Sequence, residues 1–172
     1  MNDIDEPVLG GNAETGAERN IEHTELQGVI RSLIAEQPYA VLCTQGGGQP
    51  YGSLVAFAAT HDLSAMVFAT PVTTRKFRLL TECDKVALLI DNRSLRKSDI
   101  TELAAVTATG RALLVERRPD TEPWMKLLSD RHAYMEAFLR AQTTALFRVE
   151  IVRYLHVVRF QEVSEWIPHR GG

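Results

Sequence analysis

The stretch Thr70–Leu80, TPVTTRKFRLL, gathers Thr70, Thr73, Thr74, Arg75 and Lys76 directly behind the apolar run SAMVFA. Threonine hydroxyls donate and accept hydrogen bonds, a guanidinium offers a planar fork to two oxygens, and an ammonium adds a compact positive charge. The residue types place this set where a strand gives way to a helix, with Thr73 or Thr74 as the cap. Cations normally stand at the other end of a helix, because the first turn already carries the positive end of the dipole. Arg75 and Lys76 stand against that gradient. Either they reach away into water or something negative lies between them. A phosphate dianion suits the set best, since the free N–H groups of a helix start add to the side chains. On the cluster alone, a capped surface helix with two solvated cations remains the plainer alternative.

The elements that must hold the cluster follow from periodicity. Leu26, Val29, Ile30, Leu33 and Ile34 mark one face of a helix that Pro38 stops. YAVLCT (Tyr39–Thr44) reads as a buried strand, and Gly46, Gly47 and Gly48 turn the chain into PYGSLVAFAA. After the polar break THDLS comes a third strand, AMVFAT, so these strands predict an antiparallel meander. A helix over Thr74–Glu82 follows, then the strand KVALLID (Lys85–Asp91). AAVTATGRALLVE is long and β-rich, with a bulge or bend expected at Gly110. DTEPWMKLLSDRHAYMEAFLRAQ reads as one helical stretch, capped at Asp120 or Thr121 and carrying Trp124, Leu127, Leu128, Met135, Phe138 and Leu139 on its apolar face. ALFRVEIVRYLHVVRF returns to β. This order predicts an α+β protein, mainly antiparallel β, built on a closed or partly closed barrel with flanking helices. A single domain is expected over residues 23–168, between a flexible acidic arm (1–22) and a short tail (169–172).

Composition narrows the function. With 172 residues, 45% hydrophobic and 24% charged, the chain can bury a sizeable core without staples. A net charge of −3 argues against general nucleic-acid binding. No apolar stretch approaches the ~20 residues that span a bilayer, and the N-terminus lacks an apolar signal core. Cys43 and Cys83 form no CxxC pair and lie beside apolar residues, so both are expected in the core of a cytoplasmic protein. Walker, GxGxxG and GxSxG patterns are absent. The histidines lack metal-binding spacing; His132 and Glu136, four apart, read as an ordinary surface pair rather than a metal site.

Four pieces in order, YAVLCTQGGGQPYGSLVAFA, MVFATPVTTRKFRLL, KVALLID and VTATGRALLV, resemble the pyridoxamine 5′-phosphate oxidase-like family of FMN-binding split barrels. The resemblance implies a homodimer with FMN at its interface. It implies that Thr74, Arg75 and Lys76 meet the FMN phosphate, with Thr70 and Thr73 beside it. The backbone of Ser53, Leu54, Val55 and Ala56 would run along the flavin and pair with its pyrimidine edge. Trp166 would cover the flavin of the partner subunit or close the barrel end, and Arg159 would reach the cofactor or lie on a solvated edge. The chain departs from true pyridoxamine phosphate oxidases. It has AAVTATG where they carry glutamine and arginine, only RYLHVVRF near their Arg-Leu-His motif, and Leu79–Leu80 where many relatives have asparagine after the anchor lysine. The resemblance therefore implies the fold and the cofactor, not that activity. It implies an FMN-dependent oxidoreductase passing electrons between a donor such as NAD(P)H and a small molecule. The alternatives on the same fold are a non-catalytic flavin carrier, a haem protein using His156 or His169, and an F420-dependent relative.

Overall fold

The computed structural model of the chain describes residues 23–93, 103–158 and 162–168. The expected arm (1–22), the tail (169–172) and Arg159 lie outside the described residues. Helix α1 (His23–Glu36) comes first, with Leu26, Ile30, Leu33 and Ile34 buried along the predicted stripe, while Val29, expected on the same face, is 40% exposed at its margin. Strands β1 (Tyr39–Gly46), β2 (Gln49–Ala59) and β3 (Ala65–Pro71) form the expected meander. Helix α2 (Arg75–Glu82) and strand β4 (Lys85–Asp91) follow, then β5 (Ala104–Val115).

Helices α3 (Glu122–Arg131) and α4 (Glu136–Arg140) stand where one helical stretch was expected. The break falls at His132, whose φ of −130° and ψ of 69° leave the helical region. Tertiary bonds hold it there. The His132 imidazole Nε2 donates to the Phe57 carbonyl at 2.9 Å, and Arg131 Nη2 donates to the carbonyls of Ile34 and Gln37, both at 2.6 Å. The chain thus stops the helix to fasten it to β2 and to the end of α1.

Strand β6 (Thr144–Val158) is long enough to serve two partners on one edge: Thr144–Glu150 pairs with β3, and Tyr154–Val158 pairs with β7 (Glu162–Trp166). The sheet order is β3-β2-β1-β4-β5-β6-β7, and the β3–β6 pairing closes six strands into an antiparallel barrel. The register shifts between Thr109 and Gly110, as expected of a bulge there. A Cβ at Gly110 would stand 2.2 Å from the Glu150 carbonyl oxygen, so only glycine lets the strands approach.

The barrel interior is filled by alternate residues of each strand, among them Phe57, Phe68, Leu88, Ile90, Phe147, Val149 and Tyr154. Phe68 and Phe147 stack with centroids 5.5 Å apart. A second apolar cluster of Ala58, Val67, Leu128 and Leu139 seats α3 and α4 on the outer wall. Cys83 is half-buried, but Cys43 is exposed on the outer face of β1 and is not the core residue its apolar neighbours suggested. Alternation explains this: Leu42 and Thr44 point inward, so Cys43 between them must point out. No helix among the described residues is long and apolar enough to cross a membrane.

Candidate functional site

The barrel has a seam. Strand β3 pairs with β2 only at Phe57, Ala58 and Ala59, whereas β1 pairs with β2 along Gln49–Ala56. Among the described residues, positions 49–56 of β2 therefore have a ladder on one side only, and their outward N–H and C=O groups have no strand partner on the other. Strand β3 parts from β2 beyond Phe68 while Ala69–Pro71 stay paired with β6, and α2 begins just after, at Arg75.

The start of α2 is built by its threonines. Thr74 is the N-cap, and its Oγ1 accepts from the Phe77 N–H at 3.3 Å while donating to the Pro71 carbonyl at 2.9 Å. Because that proton is used, buried Thr70 donates its own to Thr74 Oγ1 at 2.9 Å. Thr70 and Thr74 thus shape the helix start, with their hydroxyl protons engaged internally. Thr73 is exposed. Arg75 and Lys76 are the first residues of α2, so their backbone N–H groups have no partner within the helix.

The two cations turn across the seam onto β2. The Arg75 guanidinium carbon lies 4.9 Å from the centre of the Tyr51 ring. Lys76 Nζ donates to the Leu54 carbonyl at 3.1 Å. Burial pushes the Lys76 ammonium below the ordinary lysine range, and no carboxylate pairs with it among the described residues. Of the strand residues singled out by sequence, Val55 is in the core, Ser53 and Ala56 are half-buried, and Leu54 is 64% exposed on the outer face. The Ser53 Oγ is buried without a hydrogen-bond partner among the described residues.

Two participants were missed by sequence reasoning. In the sequence Tyr51 reads only as part of a strand, because its contact with Arg75 is made across the seam. Gly46 reads in the sequence as a turn residue. Positive φ values of 57° and 78° belong to Gly47 and Gly48, whereas a Cβ at Gly46 would meet Leu79 Cδ2 at 2.3 Å and Glu82 Oε2 at 2.9 Å. Gly46 is where α2 rests on β1.

Trp166 stands apart from this group. It is 2% exposed and tilts against Tyr154 with centroids 5.4 Å apart, so in the single chain its ring packs into the core. His156 is buried between Val106 and Ser164 on neighbouring strands, with neither ring nitrogen hydrogen-bonded among the described residues. Burial holds its imidazole below the usual histidine range. His169 lies outside the described residues. No group of three or more metal-ligating side chains occurs among the described residues.

A six-stranded barrel with an open seam and a basic helix start beside it defines the class of split barrels. The family model described as pyridoxamine 5′-phosphate oxidase matches residues 26–158, and the chain belongs to that family. No curated protein matches the chain. Among solved structures, a haem-binding protein of Mycobacterium smegmatis has a TM-score of 0.71 and 19% identity, covering 80% of this chain and 56% of its own. HutZ, the haem storage protein of Vibrio cholerae, has a TM-score of 0.65 and 19% identity over 80% of this chain and 96% of its own. An FAD-binding protein of Mesorhizobium loti has a TM-score of 0.62 and 12% identity over 74% and 89%. This chain thus spans little more than half the length of the Mycobacterium smegmatis protein. At such identities these likenesses establish the fold alone.

Proposed function

We propose that this protein is an FMN-binding flavoprotein that serves as an oxidoreductase on a small molecule, with NAD(P)H or a similar donor as reductant. The observation that carries this reading is the pair Arg75 and Lys76, set at a helix start and turned across the unpaired edge of β2. An oxyanion and a planar ring with both donors and acceptors are what such a place can hold. The phosphate is bound by Arg75, Lys76, the hydroxyl of Thr73 and the free N–H groups of α2, with Thr70 and Thr74 holding that turn in shape. The backbone of Ser53–Ala56 pairs with the pyrimidine edge. When bound, FMN supplies the electron or hydride step; the chain orients it and tunes its surroundings.

The protein acts as a homodimer in this reading. The outer face over β1, β2 and β4 carries Tyr39, Val41, Leu54 and Leu89, with Leu54 opposite Val41 and Val41 opposite Leu89. That apolar surface lies beside the seam, so a second copy seated there would complete the site. Titrating flavin fluorescence with protein tests the reading. Wild type is expected to quench FMN, and replacing Arg75 and Lys76 together with alanine is expected to weaken FMN binding at least tenfold, about the worth of one charge-assisted hydrogen bond. Equal binding by the double variant would overturn it.

Haem is the second reading, favoured by two similar structures whose names specify it. The same cations could take carboxylates in place of phosphate. An axial nitrogen would have to come from His169 or from His156, and the latter is only 3% exposed and must be uncovered first. A Soret band on adding haemin, lost in His169→Ala or His156→Ala, would support this reading.

A further inference from the structure

Lys76 is placed for two incompatible tasks. Its ammonium donates to the Leu54 carbonyl at 3.1 Å, on the edge of β2 that no strand covers among the described residues. It also belongs to the first turn of α2, beside Arg75, where the phosphate of a ligand would draw it. A half-buried ammonium whose hydrogen-bond partner among the described residues is one neutral carbonyl is poorly compensated, and a dianion nearby is a stronger acceptor. The carbonyl is claimed twice as well. Leu54 lies in the stretch whose backbone would meet the flavin pyrimidine, and a ring N–H approaching that carbonyl along the open edge meets the ammonium standing 3.1 Å from it.

We propose that Lys76 couples the two ends of the site. Without phosphate it latches onto Leu54 and blocks the edge that would bind the ring; a phosphomonoester draws it onto the anchor and frees the carbonyl. This deepens the flavin reading above and rests on it for the identity of the ring. The site then favours FMN over riboflavin by two routes: the phosphate adds contacts, and it removes an obstruction that the unphosphorylated flavin must displace by itself. Coupling of this kind is reciprocal, so phosphate and riboflavin, offered as separate molecules, help each other to bind.

The test uses the full chain, riboflavin and inorganic phosphate, with chloride at matched ionic strength as the control. Phosphate is expected to lower the riboflavin Kd of wild type by about 2- to 12-fold, the net worth of one hydrogen bond at tenfold per ~1.4 kcal/mol. Lys76→Met is expected to bind riboflavin more tightly than wild type by a similar factor and to ignore phosphate. A second readout needs no flavin: the carbonyl carbon resonance of Leu54 should move on adding phosphate to wild type and stay still in Lys76→Met. Phosphate that leaves riboflavin binding unchanged, or weakens it, with a motionless Leu54 carbonyl, overturns the coupling. If neither FMN nor riboflavin binds, yet the Leu54 carbonyl answers phosphate through Lys76, the flavin reading falls and the latch stands. If the carbonyl is also silent, both fall.

Discussion

Substituting Gly46 with alanine should loosen the anchor without touching any residue that would contact a ligand. The new Cβ would stand 2.3 Å from Leu79 Cδ2 and 2.9 Å from Glu82 Oε2. The glutamate can swing into water, but Leu79 is buried beneath α2 and must change rotamer or push the helix off β1. Overpacking of this kind costs about 1–3 kcal/mol. Against it stands a gain of ~0.4–1 kcal/mol from a less flexible unfolded chain, since Gly46 is not among the positive-φ residues. The expected net loss is about 1–2 kcal/mol, or roughly 2–8 °C in Tm for a chain of this size. Because α2 carries Arg75 and Lys76, FMN affinity should fall with stability, while the barrel persists. Urea denaturation followed by circular dichroism, with an FMN titration on the same samples, checks both. Unchanged or higher stability with unchanged affinity would refute the view that Gly46 seats the helix.

Three further outcomes follow from the same geometry. Tyr51→Leu removes the ring under Arg75 and should weaken FMN binding about 2- to 5-fold, the equivalent of ~0.5–1 kcal/mol, leaving riboflavin unaffected in parallel fluorescence titrations. Tyr154→Phe deletes a buried hydroxyl that donates to the Leu63 carbonyl at 2.6 Å, where Leu63 holds a left-handed φ of 60°; the orphaned carbonyl should cost about 1–3 kcal/mol in urea unfolding. His156 has a folded-state pKa depressed below 6.5 by burial, so the unfolded chain takes up its proton first. Stability should therefore be intact above that pH and fall below it by up to ~1.4 kcal/mol per pH unit until the folded-state pKa is reached. His156→Leu should flatten that limb in urea titrations across pH.

Much of the architecture was legible because its causes are local. The helix ended by Pro38, the meander, the strand Lys85–Asp91 and the bulge at Gly110 all follow from periodicity, breakers and steric limits within short windows. The basic helix start was legible for the same reason, since Thr74 caps the helix that Arg75 and Lys76 begin. What escaped depends on distant partners. Nothing near His132 signals a helix break, because the cause is a carbonyl on β2 and the end of α1. Strand β7 has only five residues, EVSEW, and owes its existence to the free half of the long β6 edge. The exposure of Cys43 follows from strand parity, which its apolar neighbours obscure. The contacts of Arg75 with Tyr51 and of Lys76 with Leu54 cross the seam, and sequence spacing carries no sign of that gap.

The central claim is that the cations of α2 and the bare edge of β2 form a flavin site. Its most direct test is the absorption spectrum of the purified protein, taken as isolated and again after adding FMN and removing the excess. Flavin bands that stay with the protein, and are lost when Arg75 and Lys76 are both replaced by alanine, are the predicted result. A Soret band as isolated, or failure to retain FMN at any concentration, would contradict it.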